Sequence, residues 1–307
     1  SMVDITLMSS LLKALKPGCR LVLVGDADQL PSVGPGNVFS DIIRSQTVPT
    51  VRLTEIFRQK GDSRIVRNAH MINRGEHPDF EANTGDFFRL RRLKGGTAVE
   101  TIVELCARRL PENMKIPSAS IQVLSPTRKG ETGTANLNKR LQAALNPPSE
   151  SKKEKLFGEA VFRVGDRVIQ TKNNYDTIWK TKDGVSGAGV YNGDIGTIAQ
   201  IDPITETLTV DFEDKLATYS FEMLNELEHA WALTVHKSQG SEYRAVVLAL
   251  SGDVQMLLTR GVLYTAVTRA KELLIMVGDD NIAHRMIDNN KQSRRYSALR
   301  LRLIADD

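Results

Sequence analysis

The sequence predicts an α/β protein with a small all-β unit set into it, and three observations carry that prediction. Apolar runs at 21–24, 121–124, 245–250 and 273–277 have the length of buried strands and stand next to segments of helical period. Between 158 and 227 the texture changes to short strands at 161–171, 191–201, 207–212 and 216–221, punctuated by Asn192-Gly193-Asp194 and Asp202-Pro203. Short strands at that spacing predict a small barrel. Beyond it the chain returns to α/β.

In order, Asp4 stands where an N-cap belongs, and Met8, Leu11, Leu12 and Leu15 form one helical stripe that Pro17-Gly18 ends. The strand at 21–24 stops abruptly in Gly25-Asp26-Ala27-Asp28-Gln29. Two carboxylates and an amide therefore sit at a strand's carboxyl end, the edge where open α/β sheets bind ligands; an ordinary βα turn has the same look. A short helix is expected at 41–44, and another at 63–74 with Ile65, Ala69 and Ile72 inward and His70 on the polar side. A strand follows at 87–93. Thr97-Ala98-Val99-Glu100 reads as a capping box opening a helix with Val99, Ile102, Leu105 and Cys106 inward, stopped by Pro111. The polar stretch 112–120 is the expected hinge between domains.

The strand at 121–124 runs into Ser125-Pro126-Thr127-Arg128-Lys129-Gly130, hydroxyls and cations that suit a phosphate backbone or, equally, a polar turn. Leu137, Leu141 and Leu145 mark a helix; 146–154 reads as a linker and 180–189 as a mobile loop. A helix over 256–269 delivers Arg269 on its apolar face, where it needs an anionic partner or solvent. The basic residues Lys291, Arg294, Arg295, Arg300 and Arg302 read as a solvated face.

The apolar fraction of 41% and charged fraction of 25% are those of a soluble globular protein. Net charge +4 and pI about 9.0 suit a polyanionic partner without demanding one. Cys19 and Cys106 fit no metal spacing and read as reduced thiols of a cytoplasmic protein; no metal ligands are assigned. No apolar run approaches a membrane span.

The strings GDADQLPSVG, LTEIFRQ, ALTVHKSQGSEY and LYTAVTRAKELL, in that order, together resemble the RecD-like branch of the superfamily-1 DNA helicases. That branch comprises the exodeoxyribonuclease V alpha subunit and its stand-alone relatives. VLSPTRKGETGTANLN, GDRVIQTKNNYD and VYNGDIGTI extend the resemblance over most of the chain. It implies a RecA-like P-loop NTPase motor with an inserted SH3-like barrel. The implied division is 1–115 for the tail of the first motor domain, 116–157 and 228–307 for the second, and 158–227 for the barrel.

By the same resemblance Gln29, Arg58 and Arg269 reach the γ-phosphate of ATP, and Gly25, Asp26, Asp28, Gly240 and Glu242 line the nucleotide. Single-stranded DNA would meet Ser125, Thr127, Arg128, Thr234 and His236, with Asn173, Asn174 and Tyr175 added by the barrel. The implied activity is ATP-dependent translocation on single-stranded DNA, 5′ to 3′, in recombination and repair. The alternative is a non-catalytic DNA-binding or structural subunit of a helicase-nuclease complex.

Ser1-Met2-Val3-Asp4 matches residues that follow the family's magnesium-holding Asp-Glu pair, and no G-x-x-x-x-G-K-[ST] occurs. The sequence is therefore expected to be a carboxyl-terminal fragment. ATP and Mg2+ would serve the intact protein, with neither bound tightly here. Expected partners are single-stranded DNA, an amino-terminal motor half, and nuclease or helicase subunits.

Overall fold

Strands that are apolar on both faces need cover on both faces, and the central sheet is arranged to receive it. The computed structural model describes residues 2–53, 63–81, 84–250, 255–290, 295 and 297–305. Helix α1 (Ile5–Ala14) is capped by Asp4, whose carboxylate accepts the Leu7 amide at 2.7 Å. Helices α2 (Val38–Ser45) and α3 (Arg64–Arg74) follow, and α3 is capped by Ser63, which accepts the Val66 amide. Asp86 reinforces that cap by accepting the amides of Arg64 and Ile65. Next come β1 (Phe87–Arg91), α4 (Gly95–Glu104), α5 (Leu110–Met114), β2 (Ile121–Ser125) and α6 (Thr134–Leu145).

The all-β unit comprises β3 (Glu154–Phe157), β4 (Ala160–Arg163), β5 (Arg167–Gln170), β6 (Asn174–Lys180) and β7 (Ser186–Val190). It continues through β8 (Ile195–Asp202), β9 (Thr207–Phe212), β10 (Lys215–Ser220) and β11 (Leu227–His229). The chain then returns through β12 (Ala232–Thr234), β13 (Tyr243–Leu250), α7 (Arg260–Val267), β14 (Ala270–Gly278), α8 (Asp280–Asp288) and α9 (Leu299–Ala305).

Among the described residues the central sheet is parallel throughout, in the order β1-β14-β13-β2-β12. Alternate residues of β13 divide between two cores. Val246, Leu248 and Leu250 join Ile65, Ile72, Leu263 and Met286, from α3, α7 and α8. Ala245, Val247 and Ala249 join Val99, Ile102, Leu137 and Leu141, from α4 and α6. The result is three layers, and each fully buried leucine in them contributes about 1.5–3 kcal/mol.

Antiparallel pairing orders the second sheet as β11-β5-β8-β9-β10-β6-β7 around a core of Phe162, Ile198, Leu208, Val210 and Tyr219. Buried Asp166 fixes this sheet to α6. Its oxygens accept the Gln142 amide at 2.6 Å, the Asn146 amide at 2.8 Å and the Arg163 backbone N–H at 2.8 Å, and face His229 Nε2 at 3.2 Å.

Several expectations change. The run at 21–24 forms no strand: Val22 is 80% and Val24 89% exposed, and no backbone ladder forms there among the described residues. A parallel strand needs another strand beside it, and among the described residues none pairs with this run. The α1 stripe is likewise buried only at Met8. The structure does not follow the expected division at 115, because β1 pairs with β14 from Phe87–Leu274 to Arg91–Gly278. Nor is 112–120 a hinge, since Leu110, Ile116 and Ile121 share one core.

Thr97 lies inside α4 and its hydroxyl donates to the Lys94 carbonyl, so no capping box forms. Pro111 does not stop the helix. A π-turn over Leu105–Arg109 precedes it, and the Cys106 carbonyl, which a proline cannot serve, accepts the Ser118 hydroxyl at 2.8 Å instead. Asn146 anchors the supposed linker through Asp166, and 180–189 belongs to the β6–β7 hairpin. The helix expected over 256–269 begins only at Arg260, where Thr259 caps it. Within the basic tail, Arg295 donates to the Gly34 and Gly36 carbonyls and Ser297 to Asp41, so α9 packs beside α2.

Replacing Asp166 with alanine leaves buried donors without their acceptor. We expect Asp166→Ala to lower stability by about 3–5 kcal/mol in urea unfolding. A loss below about 1 kcal/mol would mean that this carboxylate does not anchor the barrel.

Candidate functional site: a docked acidic loop and a cationic sheet edge

The first cluster forms where the Gly25–Gln29 loop meets α7. Asp26 accepts the Asp28 backbone amide at 2.9 Å, the Gln29 side-chain amide at 3.0 Å and the Tyr264 hydroxyl at 2.9 Å. Asp28 accepts the Asn73 amide of α3 at 2.9 Å. Leu30 closes the dock: its N–H donates to Thr265 Oγ1 at 3.0 Å, and its carbonyl accepts Gln239 Nε2 at 2.7 Å. Burial, then the negative field of Asp26, pushes the Tyr264 hydroxyl's pKa upward, so it remains a donor.

Arg269 is 5% exposed. Its guanidinium donates to the carbonyls of Thr265 at 3.1 Å and Ser241 at 3.0 Å, and to Thr268 Oγ1 at 3.2 Å. The Ser241 contact brings Gly240 and Glu242 beside it, and Glu242 pairs with Lys271 at 3.6 Å. Gly240 needs its glycine, with φ at +80°. The structure thus links Asp26, with Gln29 and Asp28 bonded to it, to Tyr264, and Arg269 to Thr265; Gly240 and Glu242 flank Ser241 in sequence. Arg58 lies outside the described residues.

The second cluster is the carboxyl edge of the parallel sheet. Ser125 and Thr234 are in register on β2 and β12, and Val235 N–H extends the ladder to the Ser125 carbonyl at 3.1 Å. The side chains of Ser125 and Thr127 are buried and shape the loop. Ser125 Oγ accepts the Thr127 amide at 3.2 Å, and Thr127 Oγ1 donates to the Lys129 carbonyl at 3.1 Å. Gly133 lets this loop fold back, since a Cβ there would lie 2.4 Å from the Lys129 carbonyl oxygen. Exposed Arg128 pairs with Glu228. Thr234 Oγ1 accepts the Lys237 amide at 3.3 Å, and Lys237 reaches the same Glu228. Half-buried His236 has its pKa lowered by that burial, which favours the neutral imidazole.

The barrel adds a third group. Asn174 is internal: with Gln170 and Lys172 it binds the Glu226 carboxylate. Burial works against that charge, and the Asn174, Gln170 and Lys172 bonds more than offset it, holding the carboxyl below its ordinary pKa. Asn173 donates to the Tyr175 hydroxyl, and Tyr175, 65% exposed, meets Tyr191 edge-on at 5.9 Å. Sequence reasoning missed Tyr264, Thr265, Gln239, Asn73, Tyr191 and Glu228. Tyr264, Thr265, Gln239 and Tyr191 lay within quoted strings; Asn73 and Glu228 gave no local signal.

A parallel sheet covered on both faces and interrupted by a small antiparallel barrel is a RecA-like motor domain carrying an SH3-like insertion. The comparisons agree. Three family models match: an AAA domain over 1–88, the ATP-dependent RecD-like DNA helicase SH3 domain over 137–212, and a UvrD-like helicase C-terminal domain over 229–277. The ATP-dependent RecD2 DNA helicase of Deinococcus radiodurans is 34% identical over 99% of this chain and 39% of its own. The RecBCD enzyme subunit RecD of Mycolicibacterium smegmatis is 30% identical over 99% of this chain and 52% of its own. In fold, the Pif1 helicase of Candida albicans superposes with TM-score 0.51 at 20% identity, over 95% of this chain and 73% of that one.

Over nearly its whole length the chain is similar to RecD-like superfamily-1 helicases. It spans about two fifths to one half of the length of those two relatives.

Thr265→Val keeps the shape of a buried side chain and removes the acceptor for Leu30 N–H. We expect a loss of about 1–3 kcal/mol and faster amide exchange at Leu30. Unchanged exchange there would show that the loop docks by other means.

Proposed function

We propose that this chain supplies motor elements of an ATP-dependent DNA helicase that moves along single-stranded DNA, 5′ to 3′, in recombination and repair within the cytoplasm. The observation that carries the reading is the joint placement of two clusters on one sheet framework. Gln29 lies in the docked loop, Arg269 just beyond the α7 helix on which that loop docks, and Arg128, Thr234 and His236 lie in or beside the carboxyl ends of β2 and β12. Gln239, from the loop that follows β12, binds the Leu30 carbonyl and so gives the two clusters a direct physical link.

ATP is the substrate of this proposed reaction, and its terminal phosphate suits an amide and a guanidinium aimed from two elements. Gln29, Arg58 and Arg269 would donate to it, with Gly25, Asp26, Asp28, Gly240 and Glu242 bordering the nucleotide. Bound Mg2+ would neutralise phosphate charge. Among the described residues no group of three His, Cys, Asp or Glu side chains fits a metal, so no step is assigned to it in this chain. Among them, too, no helix is long and apolar enough to cross a membrane.

At the DNA edge, Arg128 offers the phosphate contact and Tyr175 of the barrel an exposed ring for stacking. Ser125 and Thr127 act by shaping the loop, and Asn174 by bracing its barrel counterpart. An amino-terminal motor half and nuclease or helicase subunits are proposed as partners. The second reading, a structural or DNA-binding subunit without turnover, draws on the subunit name of the Mycolicibacterium relative.

Fluorescence anisotropy should find this chain preferring a labelled single strand to the matching duplex, with affinity falling as salt rises. Tyr175→Ala should weaken single-strand binding by about 1–3 kcal/mol without changing the salt slope, because stacking carries no charge. Equal binding of duplex and single strand would count against the reading. Lacking a phosphate loop, the chain alone should show negligible DNA-stimulated ATP hydrolysis; clear turnover would refute that expectation.

A further inference from the structure

Two loops leave the carboxyl ends of neighbouring parallel strands, and each sends a cation to the same carboxylate. Arg128 follows β2 and Lys237 follows β12. Both meet a single carboxylate, Glu228, which belongs to neither loop. It arrives on β11, the strand by which the chain leaves the barrel. Arg128 Nη2 lies 3.2 Å from Oε1 and Lys237 Nζ 2.8 Å from Oε2, so each oxygen serves a different cation. All three side chains are partly open to solvent, at 69%, 33% and 37% exposure for Arg128, Lys237 and Glu228.

A phosphodiester offers the same chemistry as this carboxylate: one negative charge shared by two oxygens that accept charge-assisted hydrogen bonds. An isolated surface ion pair would mean little. Here two cations from separate loops converge on one acceptor from a third element, and the trio retains a net positive charge. We propose that Arg128 and Lys237 form a seat for one backbone phosphate of single-stranded DNA, and that Glu228 is its resident anion, displaced when DNA binds. This rests on the reading of the sheet edge as the DNA face.

Two consequences follow from the geometry. The carboxylate competes with every polyanion, so it lowers affinity for weakly matched nucleic acid. Its displacement also breaks the two ionic ties between β11 and the motor loops, so the barrel's exit strand responds to occupancy of the edge.

The test is anisotropy binding of a labelled single strand by this chain and by Glu228→Gln over a salt series. Glutamine keeps the side chain's size and the strand pairing to Ile169 while removing the charge. The variant should bind about three- to tenfold tighter at low salt. Its salt slope should steepen by about 0.7, because one more unit of positive charge faces the phosphate. Glu228→Ala should shift affinity in the same direction, whereas Arg128→Ala and Lys237→Ala should weaken it.

Unchanged or weaker binding by both Glu228 variants, with the two cation variants still weaker, would overturn the proposal: the carboxylate would then position the cations. That outcome leaves the DNA reading standing. Failure of the parent and of both Glu228 variants to bind at low salt would remove the DNA reading and the proposal together.

Discussion

Burial of the parallel strands on both faces is the constraint from which the rest of the molecule follows. Val246 and Val247 point to opposite sides of one strand, and each finds a core: α3, α7 and α8 beneath one face, α4 and α6 beneath the other. Helices so committed cannot also cover the strand ends. The carboxyl ends of these parallel strands therefore lie along one edge, and the sheet's register decides which of them are neighbours. The Ser125–Thr234 pairing sets Arg128 close to Lys237 in this way, although neither sequence stretch refers to the other.

Against this rigid frame the Gly25–Leu30 segment is docked by polar contacts. Asp26 accepts from Gln29 and Tyr264, Asn73 holds Asp28, and both backbone groups of Leu30 are engaged by Thr265 and Gln239. Directional bonds of this kind fix a loop's position while leaving it separable, since each is worth about 0.5–1.5 kcal/mol net and charged ones somewhat more. An apolar dock of equal area would be harder to open. The proposed motor, which would close and reopen a cleft, would need contacts of the first sort. Arg269 has the opposite character: buried, and fixed to Thr265, Ser241 and Thr268, it moves with α7.

The barrel is joined to the motor domain by a polar hub around Asp166 and by Asn138, which binds the backbone of His229 and Ala232 on either side of the junction between β11 and β12. Both junction strands, entering and leaving, are thereby tied to α6. The insertion thus has a defined orientation, and the Lys172–Tyr175 segment, braced on Glu226, keeps a fixed place relative to the sheet edge.

Sequence by itself determined what neighbouring residues decide. Asp4 and Ser63 cap their helices because a short polar side chain can reach an amide within the next turn. The runs at 121–124, 245–250 and 273–277 became strands, and the alternating texture after 158 became the barrel. Motif strings brought Gln29, Gly240 and Arg269 to attention before any contact was known. Only the tertiary structure decided what depends on a partner from elsewhere in the chain. The run at 21–24 has strand composition, but among the described residues no strand pairs with it to complete a ladder. Ser125 and Thr127 look like surface hydroxyls and are buried, while Glu228 carries no local sign of the two cations it holds. Periodicity and capping act over a few residues, whereas hydrogen-bond ladders and ion pairs depend on which distant backbone arrives alongside.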